Sequence, residues 1–185
     1  MNDLEAAKQT EPSLVIIPLT TTFELLRISP SDIARFLPTL DRLSSQSLRQ
    51  SIDHPLTRPV DSDTAALTAY EKASGEGYVS ITRTGEEISV LLDAKLATGL
   101  KEDTEWARGC ADDVIEREGP YACLRVRGPM PLHLTGIAAN FTKTLQEHAI
   151  AVFLISTWDT DWIFIKQDKL EAAGEALRKD GWIVL

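Results

Sequence analysis

Apolar and polar positions along this chain fall into two periods, and the clearest stretch runs from Ala151 to Lys166. Ala151–Ser156 and Asp161–Lys166 are rich in β-branched and aromatic residues on both faces, as strands are. Between them Thr157, Asp159 and Thr160 carry short polar side chains that hydrogen-bond their own backbone in a turn. The pattern predicts a β-hairpin. Leu170, Ala173 and Leu177 then fall on one helical stripe, which predicts a helix over 168–180. Asp168 is its expected N-cap, Glu171 its capping-box partner, and Gly181 its left-handed stop. Trp182–Leu185 is the expected final strand. Upstream, Leu134, Ala138, Phe141 and Leu145 predict a helix over 135–148, and Tyr121–Arg127 alternates as a strand does. Residues 121–185 therefore read β-α-β-β-α-β, the order of a ferredoxin-like unit. Both faces of the hairpin are apolar, so a second sheet or a second copy of the chain is expected to cover the open face.

The first part of the chain repeats this order less clearly. Leu14–Leu19 and Phe23–Ile28 are strand candidates. Ser29-Pro30-Ser31-Asp32 opens a helix with Ile33, Phe36, Leu37 and Leu40 on its apolar face, and Pro38 is expected to kink or shorten it. Residues 44–76 lose any period and read as a mobile insertion. Gly77–Asp93 forms a second hairpin around Thr84-Gly85, and Lys95–Glu118 is expected to hold one helix and a link. The expected fold class is α+β: two ferredoxin-like units with antiparallel sheets, at 14–118 and 119–185, behind a disordered tail at 1–13.

Composition narrows the function. With 43% hydrophobic and 25% charged residues the chain is of globular type. A net charge of −9 argues against nucleic acid, which binds basic surfaces. No apolar run approaches the roughly 20 residues of a membrane helix. The polar N-terminus has no signal-peptide pattern, so the expected location is cytoplasmic, and Cys110 and Cys123 are expected to remain thiols there. His54, His133 and His148 are scattered, so no metal site is expected. There is no GxSxG, no phosphate-binding glycine loop and no Cys–His pairing in sequence. Glu86-Glu87 and Asp159/Asp161 are paired carboxylates at the two hairpin turns, and turn formation is the simpler account of them. No catalytic residue and no cofactor are expected.

The residues that remain carry a resemblance. Gly128-Pro129, Leu134-Thr-Gly-Ile-Ala138 and the run Ala151–Ile165, with its Ser-Thr, aromatic and Thr-Asp, resemble the second ACT domain of ACT-pair proteins. That group includes the CASTOR cytosolic arginine sensors and small bacterial and fungal relatives. Tyr78–Leu92 resembles the hairpin of the first ACT domain. The resemblance implies an amino-acid ligand at the helix start and hairpin, and it places Gly136, Ile137, Ala151, Val152, Phe153 and Asp161 at the site. The chemistry is apt: a helix N-terminus receives a carboxylate, and an Asp receives an ammonium or guanidinium. Ala139 stands where the arginine sensors carry an acidic residue, which favours a neutral amino acid. The implied function is a non-catalytic regulator that signals through a protein partner or a homodimer. The alternatives are a ligand-free interaction module and a regulatory subunit of an amino-acid biosynthetic enzyme such as aspartate kinase.

Overall fold

The computed structural model describes residues 3–53, 71–72, 75–100, 102–111, 114–131 and 133–185. In chain order its elements are α1 (Asp3–Thr10), β1 (Ile16–Pro18), β2 (Phe23–Ile28), α2 (Ile33–Asp53), β3 (Val79–Arg83), β4 (Ile88–Asp93), α3 (Ala94–Leu100), α4 (Thr104–Ala111), β5 (Ile115–Val126), α5 (Ile137–Glu147), β6 (Phe153–Ser156), β7 (Asp161–Lys166) and α6 (Leu170–Lys179). They group into two compact units. The first holds the described residues of 21–53 and 75–120; the second holds 3–20, 71–72 and 121–185. The fold is α+β, and each unit is ferredoxin-like.

In the first unit the strand order is β3-β4-β2-β5, with β4 antiparallel to both β3 and β2. Leu26, Ile28, Ile88, Val90 and Leu92 point from this sheet into a core closed by Phe36, Leu40 and Leu43 of α2, and by Leu96, Leu100 and Trp106. Phe36 meets Trp106 edge to face at 5.6 Å. Helix α2 continues past Pro38 for 21 residues in all, so Pro38, expected to kink or shorten it, does not shorten it. A proline costs a helix about 3 kcal/mol, while burying Phe36, Leu40 and Leu43 contributes about 1.5–3 kcal/mol each. The anchors on either side win, and Pro38 faces solvent. The expected insertion therefore begins later than 44, since 44–53 is helix, and its middle, 54–70, lies outside the described residues.

Two carboxylates fasten the helices of this unit. Asp103 caps α4 by accepting from the Trp106 N–H at 2.9 Å, and it also binds Thr39 and Arg42 of α2. The Trp106 N–H, with these partners, holds its carboxyl below the ordinary value. Asp93 ends β4 and caps α3, accepting from Lys95 N at 2.7 Å, Leu96 N at 3.1 Å and Gly77 N at 2.6 Å. It is wholly buried. Burial pushes its carboxyl up, and the three N–H donors offset only part of that.

The second unit has the order β6-β7-β5-β1. Its fourth place is filled by the N-terminal strand: Ile16, Ile17 and Pro18 pair antiparallel with Val126, Arg125 and Leu124. The expected final strand is reduced to one parallel bridge, Val184 with Ile16. The reason is visible at the end of α6. Gly181 is left-handed (φ 92°), and Gly181 N and Trp182 N bond back to Arg178 O and Leu177 O, both at 3.0 Å. This Schellman turn drives Trp182 into the core and leaves few residues to pair. The unit boundary accordingly departs from the expected 119, because β1 belongs with 121–185. Helix α6 starts through a short 3-10 turn, Gln167–Lys169, with no side-chain cap; Asp168 and Glu171 do not form the expected box.

The segment expected as a disordered tail is helix α1, docked on the second unit. Leu4 is buried in its core, and Lys8 is 1% exposed. The Lys8 ammonium lies 2.8 Å from Asp180 Oδ2, 3.1 Å from Asp180 O and 3.0 Å from Glu5, and 5.3 Å over the Trp182 ring. A cation here also satisfies the C-terminal end of α6. A polar stretch thus conceals an anchor that looks hydrophilic in the sequence.

Two expectations follow. Asp93→Ala leaves three N–H groups without their acceptor and should cost about 2–4 kcal/mol by urea denaturation; a loss under about 0.5 kcal/mol would contradict the cap. Burial pushes the Asp180 carboxyl up, but Lys8, Thr144 and Trp182 together more than reverse this, leaving it below 3.8. A depressed carboxylate contributes stability above its unfolded pKa, and the contribution is lost as pH falls through the folded value. Docking of α1 should therefore loosen below about pH 4. The Trp182 indole N–H resonance reports it, and Lys8→Met should remove the acid step.

Candidate functional site

The predicted site residues lie in the second unit, and one end of that unit gathers three structural features. There β5 ends, residues 127–136 lead to α5, and β6 turns into β7 at 157–160. The turn is locked to the end of β5: the Thr160 hydroxyl donates to Val126 O, and Met130 N donates to Asp159 O at 2.9 Å. Gly128 is left-handed (φ 67°), and a Cβ there would stand 2.5 Å from Asp159 O, so only glycine permits this approach. Arg127 beside it makes a two-pronged ion pair with the buried Glu71, at 2.6 and 2.8 Å.

Helix α5 opens at Gly136, in a left-handed conformation (φ 79°, ψ 9°) with no side-chain cap. The first helical bond is Asn140 N to Gly136 O at 2.8 Å. The amides of the first turn therefore have no carbonyl partner within the helix. Gly136 is exposed and Ile137 is buried in the core, so one end of the turn is held while its amides stay available. Ala139, one turn in, is exposed and neutral.

Asp161 is the unusual residue. Side chains of β7 alternate across the sheet. Asp161 shares the face of Ile163 and Ile165, which pack against Ile137, Phe141, Ala173 and Leu177 in the layer between sheet and helices. Asp161 is 3% exposed. It does not cap the hairpin: Thr157 does so, with its N–H and hydroxyl both 2.9 Å from Thr160 O. Nor does it cap α5.

The remaining predicted residues lie elsewhere. Phe153 pairs with Phe164 and Ser156 with Asp161, so Phe153 is three residues, roughly 10 Å, along the ladder from Asp161. Ala151 and Val152 lead into β6 and are exposed, as Phe153 is. The structure thus gathers Gly136, Ile137 and Asp161 at one end and sets 151–153 at the other, on the edge strand β6. Sequence reasoning placed Thr160 in the turn but not its bond to Val126 O, and it missed the Arg127–Glu71 pair. Their partners are distant in the chain, so no local pattern marks them. Trp158, at the tip of the turn, is 93% exposed. A separate open cleft in the first unit is lined by Glu24 and Arg117–Pro120, none of them predicted. Burial pushes the Cys123 thiol well up, leaving it unreactive. Among the described residues no group of three or more His, Cys, Asp or Glu is placed to hold a metal, and no helix is long and apolar enough to cross a membrane.

Residues 116–179 match the family model of the ACT domain, from β5 to the end of α6. No curated protein matches the sequence. Among solved structures, a protein from Agobacterium tumefaciens is similar over 92% of this chain and 90% of its own, at 19% identity and a TM-score of 0.55. An aspartate kinase from Clostridium acetobutylicum is similar over 90% of this chain and 34% of its own, at 12% identity and a TM-score of 0.59. The regulatory subunit of aspartate kinase from Thermus flavus is similar over 90% and 96%, at 11% identity and a TM-score of 0.51. At these identities the shared property is the fold.

The two glycines at this end should respond differently to substitution. Gly128→Ala meets Asp159 O and a left-handed backbone, and should cost about 2–4 kcal/mol in denaturant. Gly136→Ala has no atom within 4 Å and should cost only the backbone strain, about 1 kcal/mol. Equal losses would contradict the packing described for the turn.

Proposed function

We propose that this chain is a non-catalytic regulatory protein that binds an amino acid at the α5 end of its second unit. The free first-turn amides of α5 receive the ligand carboxylate, with the positive end of the helix dipole behind them. Asp161 receives the ammonium. Gly136 and Ile137 shape the mouth of the site. Ala151, Val152 and Phe153 offer exposed edge backbone, where a protein partner or a second copy reads the liganded state. The match of 116–179 to the ACT domain and the resemblance to CASTOR-type sensors support this reading. The observation that carries it is the exposed start of α5 at Gly136, which has no side-chain cap and lies at the end of the unit where β7 begins with Asp161. Ala139 favours a ligand with a neutral side chain.

A second reading is a regulatory subunit of an amino-acid biosynthetic enzyme such as aspartate kinase. It is favoured by the near-full-length likeness to the Thermus flavus subunit, and co-purification with such an enzyme would support it. Both readings place the protein in the cytoplasm and use the same site.

The test begins with a thermal-shift screen of the twenty amino acids, followed by calorimetric titration of the best. A charge-assisted hydrogen bond contributes about 1.5–3 kcal/mol, so Asp161→Ala should weaken binding roughly 10- to 150-fold, at about 1.4 kcal/mol per decade. The variant should remain folded. Asp159→Ala, at the exposed turn, should leave affinity nearly unchanged. No stabilisation by any amino acid, or wild-type affinity in Asp161→Ala, would remove the proposal.

A further inference from the structure

The open cleft of the first unit has a volume of about 390 Å³ and is lined by Glu24, Arg117, Glu118, Gly119 and Pro120. Glu24 stands in a row that is otherwise apolar. It shares its face of β2 with the core residues Leu26 and Ile28, and it pairs across the sheet with the core residue Leu92. The second unit offers the comparison. Its hairpin turn matches that of the first: Thr84 N bonds Glu87 O and Thr157 N bonds Thr160 O, both at 2.9 Å. Five residues after each Thr, Ser89 pairs with Arg27 and Trp162 pairs with Arg125. Glu24 therefore corresponds to Ala122, which lies in the core of the second unit. In the first unit the place carries a charge instead, and it forms an ion pair with Arg117 of β5. The pair is partly shielded, with the Arg117 side chain 31% and that of Glu24 25% exposed. Gly119 lets the backbone of β5 approach it. Its φ is 154°, and a Cβ there would stand 3.0 Å from Phe23 O and 3.5 Å from Glu24 Cα.

We propose that this cleft is a second ligand site, taking a small zwitterion with a carboxylate and a protonated amine a few bonds apart, such as a free amino acid. Arg117 receives the carboxylate on its planar fork, and Glu24 receives the amine. An ion pair open to water contributes little, so parting Glu24 from Arg117 costs little. A zwitterion then returns an opposite charge to each of them. A lone anion would face Glu24 and a lone cation would face Arg117, so neither single charge replaces the pair. Glu118 adds a second carboxylate to the lining, which disfavours a ligand with an acidic side chain. Pro120 has no N–H to donate and supplies an apolar wall. The size suits a small molecule, since ligand pockets begin near about 300 Å³. The site uses neither Asp161 nor α5, and it does not rest on the reading of the second unit.

The experiment titrates the isotope-labelled full chain with glycine, sodium acetate and methylammonium chloride at matched ionic strength. Glycine should move the Gly119 amide and Arg117 Nε–H resonances to a plateau, while acetate and methylammonium should move them little. No plateau with glycine, or an equal response to either single charge, overturns the zwitterion site. This comparison uses the wild type and decides the matter even where a variant does not fold. Arg117→Gln and Glu24→Gln should each weaken glycine binding roughly tenfold or more; wild-type affinity in both overturns the proposal. Glutamine should bind more tightly than glutamate, and the reverse order contradicts the charges assigned to the cleft. Asp161→Ala separates the two sites. A Gly119 response that survives it keeps this site even where the Gly136 amide never moves, in which case the reading of the second unit fails. A response at Gly136 without one at Gly119 keeps that reading and overturns this one.

Discussion

The register of β7 against β5 decides what this protein can do. Arg125 pairs with Trp162 and Leu124 with Ile163, and this sends Asp161, Ile163 and Ile165 toward the helices. A slip of one residue would turn every side chain of the strand to the opposite face, sending Trp162, Phe164 and Lys166 toward the helices in place of Asp161, Ile163 and Ile165. Three apolar side chains of β5, Ala122, Leu124 and Val126, make the same demand from the facing strand. The hydrophobic pattern therefore enforces a register that also buries a carboxylate. The turn adds its own restraint through the Thr160 hydroxyl on Val126 O and the close approach of Gly128 to Asp159.

The second unit is completed from the other end of the chain. A βαββαβ unit needs a fourth strand beside its first, and here β1 provides it. The last residues make only a bridge, because the turn at Gly181 commits Trp182 to the core. Helix α1 then covers this region, with Lys8 joining Asp180 and the face of Trp182. The beginning and end of the sequence thus stabilise the unit that carries the candidate site.

Much of this was legible in the sequence where a period is long or a residue has one conformational role. Phe23–Ile28, the turn at Thr84-Gly85, the hairpin at 151–166 and the stop at Gly181 follow from alternation, β-branching and backbone preference. Pro38 misled because a local cost was outweighed by the burial of Phe36, Leu40 and Leu43. The polar stretch 1–13 misled because Lys8 is buried by ion pairing with a residue 172 positions away, and no local pattern records that. Asp168 misled because the chain enters α6 through a 3-10 turn and leaves no loop to cap. At the site, Asp161 and the α5 N-terminus were visible as chemistry. Their common end of the unit and the separation from 151–153 depend on register, which appears only when strands are paired.

The central claim is that the α5 end of the second unit receives an amino acid through Asp161. Hydrogen exchange of the full chain, with and without a mixture of the twenty amino acids, tests it most directly. The account predicts slowed exchange at 134–140 and 157–161, with 79–92 unchanged. Exchange that stays the same throughout, or slows equally in both hairpins, would contradict it.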